Sequence, residues 1–108
     1  MIDLRDEKQL TKLPIEMTEA GDAINKAISR GLKVRIRVDS IDGFYLDICL
    51  VVTCCLWDAN NQNITINGSE FNLEFPYEKF ELNSMSCDKH TKFYFRQKES
   101  TLGITVLY

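Results

Sequence analysis

The chain has 108 residues, four cysteines, one histidine and a net charge of −3, with hydrophobic residues at 44% and charged residues at 27%. That length suits one domain, 1–108, able to bury a core without metals or disulfides. The plentiful Leu, Ile, Val and Phe exclude a disordered chain, and the acidic balance argues against general nucleic-acid binding, which depends on neutralising phosphates.

The charged opening Met1-Ile2-Asp3-Leu4-Arg5 has no apolar core of a signal peptide. The longest mainly apolar run, Ile48 to Trp57, is about half of what a membrane-spanning helix needs. A cytoplasmic, reducing setting is expected, with the cysteines as free thiols. Residues 1–17 read as an arm or short helix, interrupted by Pro14.

Residues 18–31 read as a helix. Ala20, Ala23, Ile24, Ala27 and Ile28 form one apolar stripe. Thr18 is the expected N-cap and Gly31 the C-terminal stop. Small alanines on the stripe point to close packing against a sheet.

From 32 to 108 the period is two, which predicts antiparallel β-structure. Val34, Ile36 and Val38 alternate with Lys33, Arg35 and Arg37, then Asp42-Gly43 marks a turn. Residues 44–57 read as one long strand with its even positions inward. That length requires a bend or bulge. Asp58 to Asn61 is a turn. Asn67-Gly68 predicts a two-residue type I′ hairpin pairing 66 with 69 and 64 with 71. That register places Ile64, Ile66, Phe71 and Leu73 on one face. Phe80 and Leu82 suggest a short strand, 83–90 a polar loop, Phe93 and Phe95 a further strand, and 97–101 a loop. Leu102, Ile104, Val106 and Tyr108 close the chain as a strand. The expected fold is α+β: an N-terminal helix on a strongly curved antiparallel sheet, or a partly open small β-barrel of about six strands.

Short family patterns are touched twice. The helix, Asp42-Gly43, Trp57-Asp58 and Asn63 resemble parts of an Sm-type small barrel, but the spacings are longer and the second motif is missing. Asn63-Ile64-Thr65-Ile66-Asn67-Gly68 resembles the second half of the cyclic-dinucleotide-binding PilZ signature. Thr65 stands where that family has Ser, and Arg30 and Arg35 lie one residue too far apart. Neither resemblance implies membership.

Three surfaces carry possible chemistry. Four glutamates and one lysine between Glu70 and Glu81 make an acidic segment. Asp58, Glu70, Glu74, Glu78 and Glu81, with Trp57 or Tyr77 as aromatic anchors, suit capture of a basic protein partner. Solubility alone also explains such charge. The leading expectation is therefore a small acidic, non-catalytic binding protein that neutralises a basic partner such as a toxin or nuclease, as immunity proteins, antitoxins and phage-encoded inhibitors do. No cofactor is implied.

The second surface is Lys33, Arg35 and Arg37 with Tyr45, Trp57 or Tyr94, a basic and aromatic set of the kind that binds single-stranded nucleic acid. Pairing of the arginines with Asp47 is the competing explanation. The third is Cys87 with His90, a candidate nucleophile and base or a thiol sensor, against a plain polar loop. Cys54 and Cys55 do not complete a zinc site with them, because strand neighbours face opposite ways. The sequons at Asn63 and Asn67 are read as chance matches.

Overall fold

The computed structural model describes residues 1–76 and 81–108, and their side chains except that of Glu16. Tyr77, Glu78 and Phe80 lie outside the described residues. The elements run β1 (Ile2–Asp3), α1 (Glu7–Leu10), a 3₁₀ turn (Ile15–Met17), α2 (Thr18–Arg30), β2 (Lys33–Ser40), β3 (Tyr45–Val51), β4 (Cys54–Asp58), β5 (Asn63–Asn67), β6 (Asn72–Pro76), β7 (Glu81–Ser86), β8 (His90–Arg96) and β9 (Ser100–Leu107). They build two antiparallel sheets, ordered β1-β4-β5-β6 and β3-β2-β9-β8-β7. Among the described residues the molecule is mostly β with two helices, and the sheets do not form a closed barrel.

The expected long strand is two strands in two sheets. Alternation runs inward at Val52, then resets, so that Cys55 and Trp57 are inward instead of Cys54 and Leu56. The reset coincides with a change of neighbour. Val51 pairs with Lys33 in the five-stranded sheet, whereas Cys54 pairs with Asn67 in the four-stranded one. Thr53 marks the crossing, its backbone N–H donating to the Asn67 carbonyl at 2.8 Å.

This crossing closes the core. Trp57 and Phe95 are each 1% exposed, and their rings meet at 5.5 Å. Phe93 stands edge-on to Phe95 at 5.9 Å. Val34, Ile36, Leu102, Ile104 and Val106 extend the same cluster along the five-stranded sheet, and Ile64 and Ile66 along the other.

α2 covers the remaining inner surface through Ala20, Ala23, Ile24 and Ala27. Gly21 is buried as well. A Cβ there would lie 2.4 Å from Leu13 Cδ1, so the missing side chain lets the N-terminal arm lie against the helix. Asn25 Nδ2 donates to the Leu4 carbonyl and ties the same arm down. Gly31, at φ 63°, ends α2 in the left-handed region as expected. Thr18 is not the N-cap. The 3₁₀ turn runs straight into the helix, and the Thr18 hydroxyl donates back to the Ile15 carbonyl at 3.0 Å.

Two hairpins differ from expectation. Asn67 pairs with Asn72 and Ile64 with Phe75, so the connection is the four-residue Gly68–Phe71 loop. Neither Asn67 nor Gly68 has the positive φ that a type I′ turn requires. Instead the Phe71 ring packs over Gly68, where a Cβ would collide with it. The shift is an even number of residues, so Ile64, Ile66 and Leu73 keep the inward face, and Phe75 takes the place expected for Phe71.

Of the polar segment 83–90 only 87–89 is loop: β7 continues to Ser86 and pairs with β8, which begins at His90. After Leu82, the core-side positions of β7 are exposed serines rather than buried apolar groups. Ser84 donates to Glu19 on α2 at 2.9 Å, while Ser86 shares a hydrogen bond with buried Thr91 at 2.8 Å. Thr91 in turn meets the Tyr108 hydroxyl at 2.8 Å.

Trp57 is the chain's single tryptophan. Its emission is expected to be blue-shifted and poorly quenched by acrylamide until denaturant exposes it. Trp57→Ala is expected to cost about 3–5 kcal/mol of stability in chemical denaturation, as for other fully buried large aromatics. Free quenching in the native state would contradict this placement.

Candidate functional site

Charge is divided by sheet. β1, β4, β5 and β6 contain Asp3, Asp58 and Glu74 but no Lys or Arg. The strands of the other sheet carry Lys33, Arg35, Arg37, Lys92 and Arg96 against Asp39, Asp47 and Glu81. Cross-strand registers place all eight on the outer face of that sheet.

The proposed acidic set does not converge. Trp57 is core, because the phase reset turns it inward, and it is therefore no surface anchor. Glu81 belongs to the other sheet, opposite Arg96. Asp58 closes the β4–β5 turn. Its carboxylate accepts from Asn61 Nδ2 at 2.7 Å and from the backbone N–H groups of Asn60 and Asn61, each at 3.1 Å. Those bonds, the side-chain one foremost, hold its pKa below the ordinary value. Glu74 is exposed midway along β6, and Glu70 lies in the loop at the far end. The two ends of the β5–β6 hairpin are about 13 Å apart at the strand rise per residue. Asp58, Glu70 and Glu74 thus form a spread acidic surface. Tyr77 and Glu78 lie outside the described residues.

The basic and aromatic set does assemble. Arg35 grips Asp47 with two bonds, Nη2 to Oδ2 at 2.6 Å and Nε to Oδ1 at 2.9 Å. Arg37 donates to the Tyr45 hydroxyl at 3.2 Å, and its guanidinium lies 5.8 Å from the centre of that ring. Tyr45 donates onward to Asp47 at 3.1 Å. The Arg35 bonds pull the Asp47 pKa down to about 2, and the same contact raises that of Arg35. The expected pairing of arginines with Asp47 is therefore real, but one carboxylate serves two guanidiniums. Among the described residues, Lys33, Lys92 and Arg96 have no ion-pair partner.

Lys92, Arg96 and Gly103 join this set in the fold, beyond the residues expected from sequence. Arg37, Gly103 and Tyr94 form one cross-strand row, and Arg35, Thr105 and Lys92 the next. Gly103 leaves the middle of the sheet bare, and the Tyr94 ring lies against it: a Cβ on Gly103 would stand 3.1 Å from two ring carbons. The result is a hollow of about 220 Å³ lined by Arg35, Arg37, Lys92, Tyr94, Gly103 and His90, among others. The signal legible beforehand was the Lys92-Tyr94-Arg96 alternation; its alignment with Arg35 and Arg37 depended on the β2–β9–β8 order. A wider groove between α1 and α2, about 580 Å³, has a rim of mixed charge from Glu7, Asp22, Lys26 and Arg30.

Cys87 and His90 face each other across the β7–β8 turn, Sγ to Nδ1 at 3.3 Å. Cys54 and Cys55 point to opposite sides of β4 in the other sheet. Among the described residues, no three His, Cys, Asp or Glu side chains stand together as metal ligands. Nor is any helix there long and apolar enough to cross a membrane.

Comparison with known protein families, curated proteins and solved structures finds no match.

Two solution outcomes follow. Asp47 ionises more readily folded than unfolded, so its contribution to stability is full above the ordinary carboxylate pKa and fades as pH falls toward about 2. Thermal melts should show Asp47→Asn less stable than the parent at neutral pH, the gap closing across that acid range. Thiol labelling should reach exposed Cys49 and Cys87 first. Cys55, whose thiol pKa is pushed up by burial, should label only on unfolding.

Proposed function

We propose that the chain is a non-catalytic binding protein whose main contact surface is the outer face of the five-stranded sheet. One observation carries this reading. Of the ten exposed large apolar or aromatic side chains among the described residues, Tyr45, Val51, Met85, Tyr94 and Leu107 share that face with the five cations. Tyr, Met and Arg are the residue types enriched where proteins meet partners. Five cations against three carboxylates favour an anionic partner. The four cysteines are free, which suits a reducing, cytoplasmic setting.

The acidic sheet supports a second reading, the capture of a basic protein partner in the manner of an immunity protein, antitoxin or phage inhibitor. The observation in its favour is that Asp58, Glu70 and Glu74 lie on a sheet without a Lys or Arg in its strands. Arg5, beside that sheet, is held by Asp3 at 2.7 Å. Surface charge of this kind accelerates encounter with an oppositely charged protein.

A photo-crosslinking residue placed at Leu107 or at Asn72 separates the two readings inside living cells. Adducts from position 107 are expected. Adducts from position 72 alone would transfer the function to the acidic face, and none from either would remove both readings.

A further inference from the structure

Resting on the reading of the five-stranded sheet's outer face as the contact surface, we propose that its occupant is a short single-stranded nucleic acid, stacked on Tyr94 and held through its phosphates by Arg35, Arg37 and Lys92.

The exposed face of Tyr94, in one hollow with Arg35, Arg37 and Lys92, is what a base and its phosphates would meet. The Tyr94 ring lies against the bare backbone of Gly103 in the middle of the sheet and is 38% exposed. A base stacks on such a platform without regard to its identity. Tyr45 offers a second exposed ring on β3, three strands away, already bridged by Arg37. The cations stand where a backbone crossing the face would need them. Arg37 shares the row of Gly103 and Tyr94, while Arg35 and Lys92 occupy the neighbouring row, two residues along each strand. Rows so related lie roughly 7 Å apart.

The arginines are oriented before any ligand arrives. Arg35 spends two N–H donors on Asp47, and a guanidinium has five. Lys92 has no ion-pair partner among the described residues and can meet a phosphate without breaking one.

Charge complementarity alone would also admit an acidic protein. The stacking platform favours the nucleic acid. A duplex is disfavoured for the same reason, because its bases already stack on one another and offer no face to Tyr94.

Fluorescence anisotropy with a labelled oligonucleotide of about twelve nucleotides, within the usual range of single-strand site sizes, tests the proposal on the intact chain. The single strand should bind, and its duplex should bind at least about tenfold more weakly for want of stacking. Tyr94→Ala should weaken binding roughly 5- to 160-fold, with Tyr94→Phe close to the parent. Lys92→Glu should weaken it too, and the logarithmic salt dependence should have a slope of about −2 for three phosphate contacts. Circular dichroism and melting confirm that each variant is folded. The Lys92→Glu variant keeps the question answerable if Tyr94→Ala unfolds.

Equal binding of duplex and single strand, indifference to Tyr94→Ala in a folded variant, or displacement by polyglutamate as readily as by unlabelled oligonucleotide would overturn the proposal. Absence of oligonucleotide binding while position 107 still crosslinks would remove the nucleic acid and leave the face. Absence of both would remove the reading on which it rests.

Discussion

The step from Val52 to Cys55 decides how this chain folds. One residue of slippage in a strand exchanges its two faces completely. Here the slippage occurs as the chain leaves one sheet for another, and it turns Cys55 and Trp57 inward. Trp57 then reaches Phe95, across the core from the opposite sheet. Had the even positions continued inward, Cys54 and Leu56 would occupy that space and the largest side chain in the protein would face water. The reset puts Trp57 in the core in place of Leu56, with a cysteine beside it either way, and an indole buries more apolar surface than a leucine side chain, so the reset is favoured by the core it creates.

A shared core between two sheets leaves two outward faces, and their charges act separately. Packed sheets lie roughly 10 Å apart, and outer side chains project farther still. The screening length at physiological salt is about 8 Å. The carboxylates of the four-stranded sheet therefore do little to cancel the cations of the other. The net charge of −3 describes neither face. It sums a sheet with no Lys or Arg in its strands, a sheet with five such residues, and the charges of the helices and loops. A partner responds to the face it meets, not to the sum.

Much of this was legible in the sequence, for a physical reason in each case. The α2 stripe and the alternation in β2 could be read because each element has one buried and one solvated side. Gly31 and Gly43 marked real reversals, since both take a positive φ. The illegible parts are those where tertiary partners replace local signals. Ser84 and Ser86 take core-side positions of a strand, but both are exposed and bond Glu19 and Thr91, so the segment read as a loop. Asn67-Gly68 is a strong hairpin signal, overridden by the packing of Phe71 over Gly68. The acidic residues looked like one patch because they are close in sequence. The two sheets separate Glu81 from Glu70 and Glu74, and distance in sequence does not record that.

Gly103 is the last point of tension. A glycine in a central strand weakens it, because it contributes no side chain and loses the most backbone freedom. An aromatic ring laid over such a glycine shields the backbone, and this alone accounts for Tyr94 lying where it does. Shielding, however, asks nothing of the surrounding residues. Any polar neighbours would serve, and carboxylates would suit an acidic protein as well as cations. The positions around Gly103 and Tyr94 are instead taken by Arg35, Arg37 and Lys92, with a single carboxylate, Asp47, bonded to the arginines. Gathering like charges on an exposed sheet costs stability unless something of opposite charge is bound there. The ring over the glycine belongs to the fold; the cations assembled beside it are the part that the proposed ligand would use.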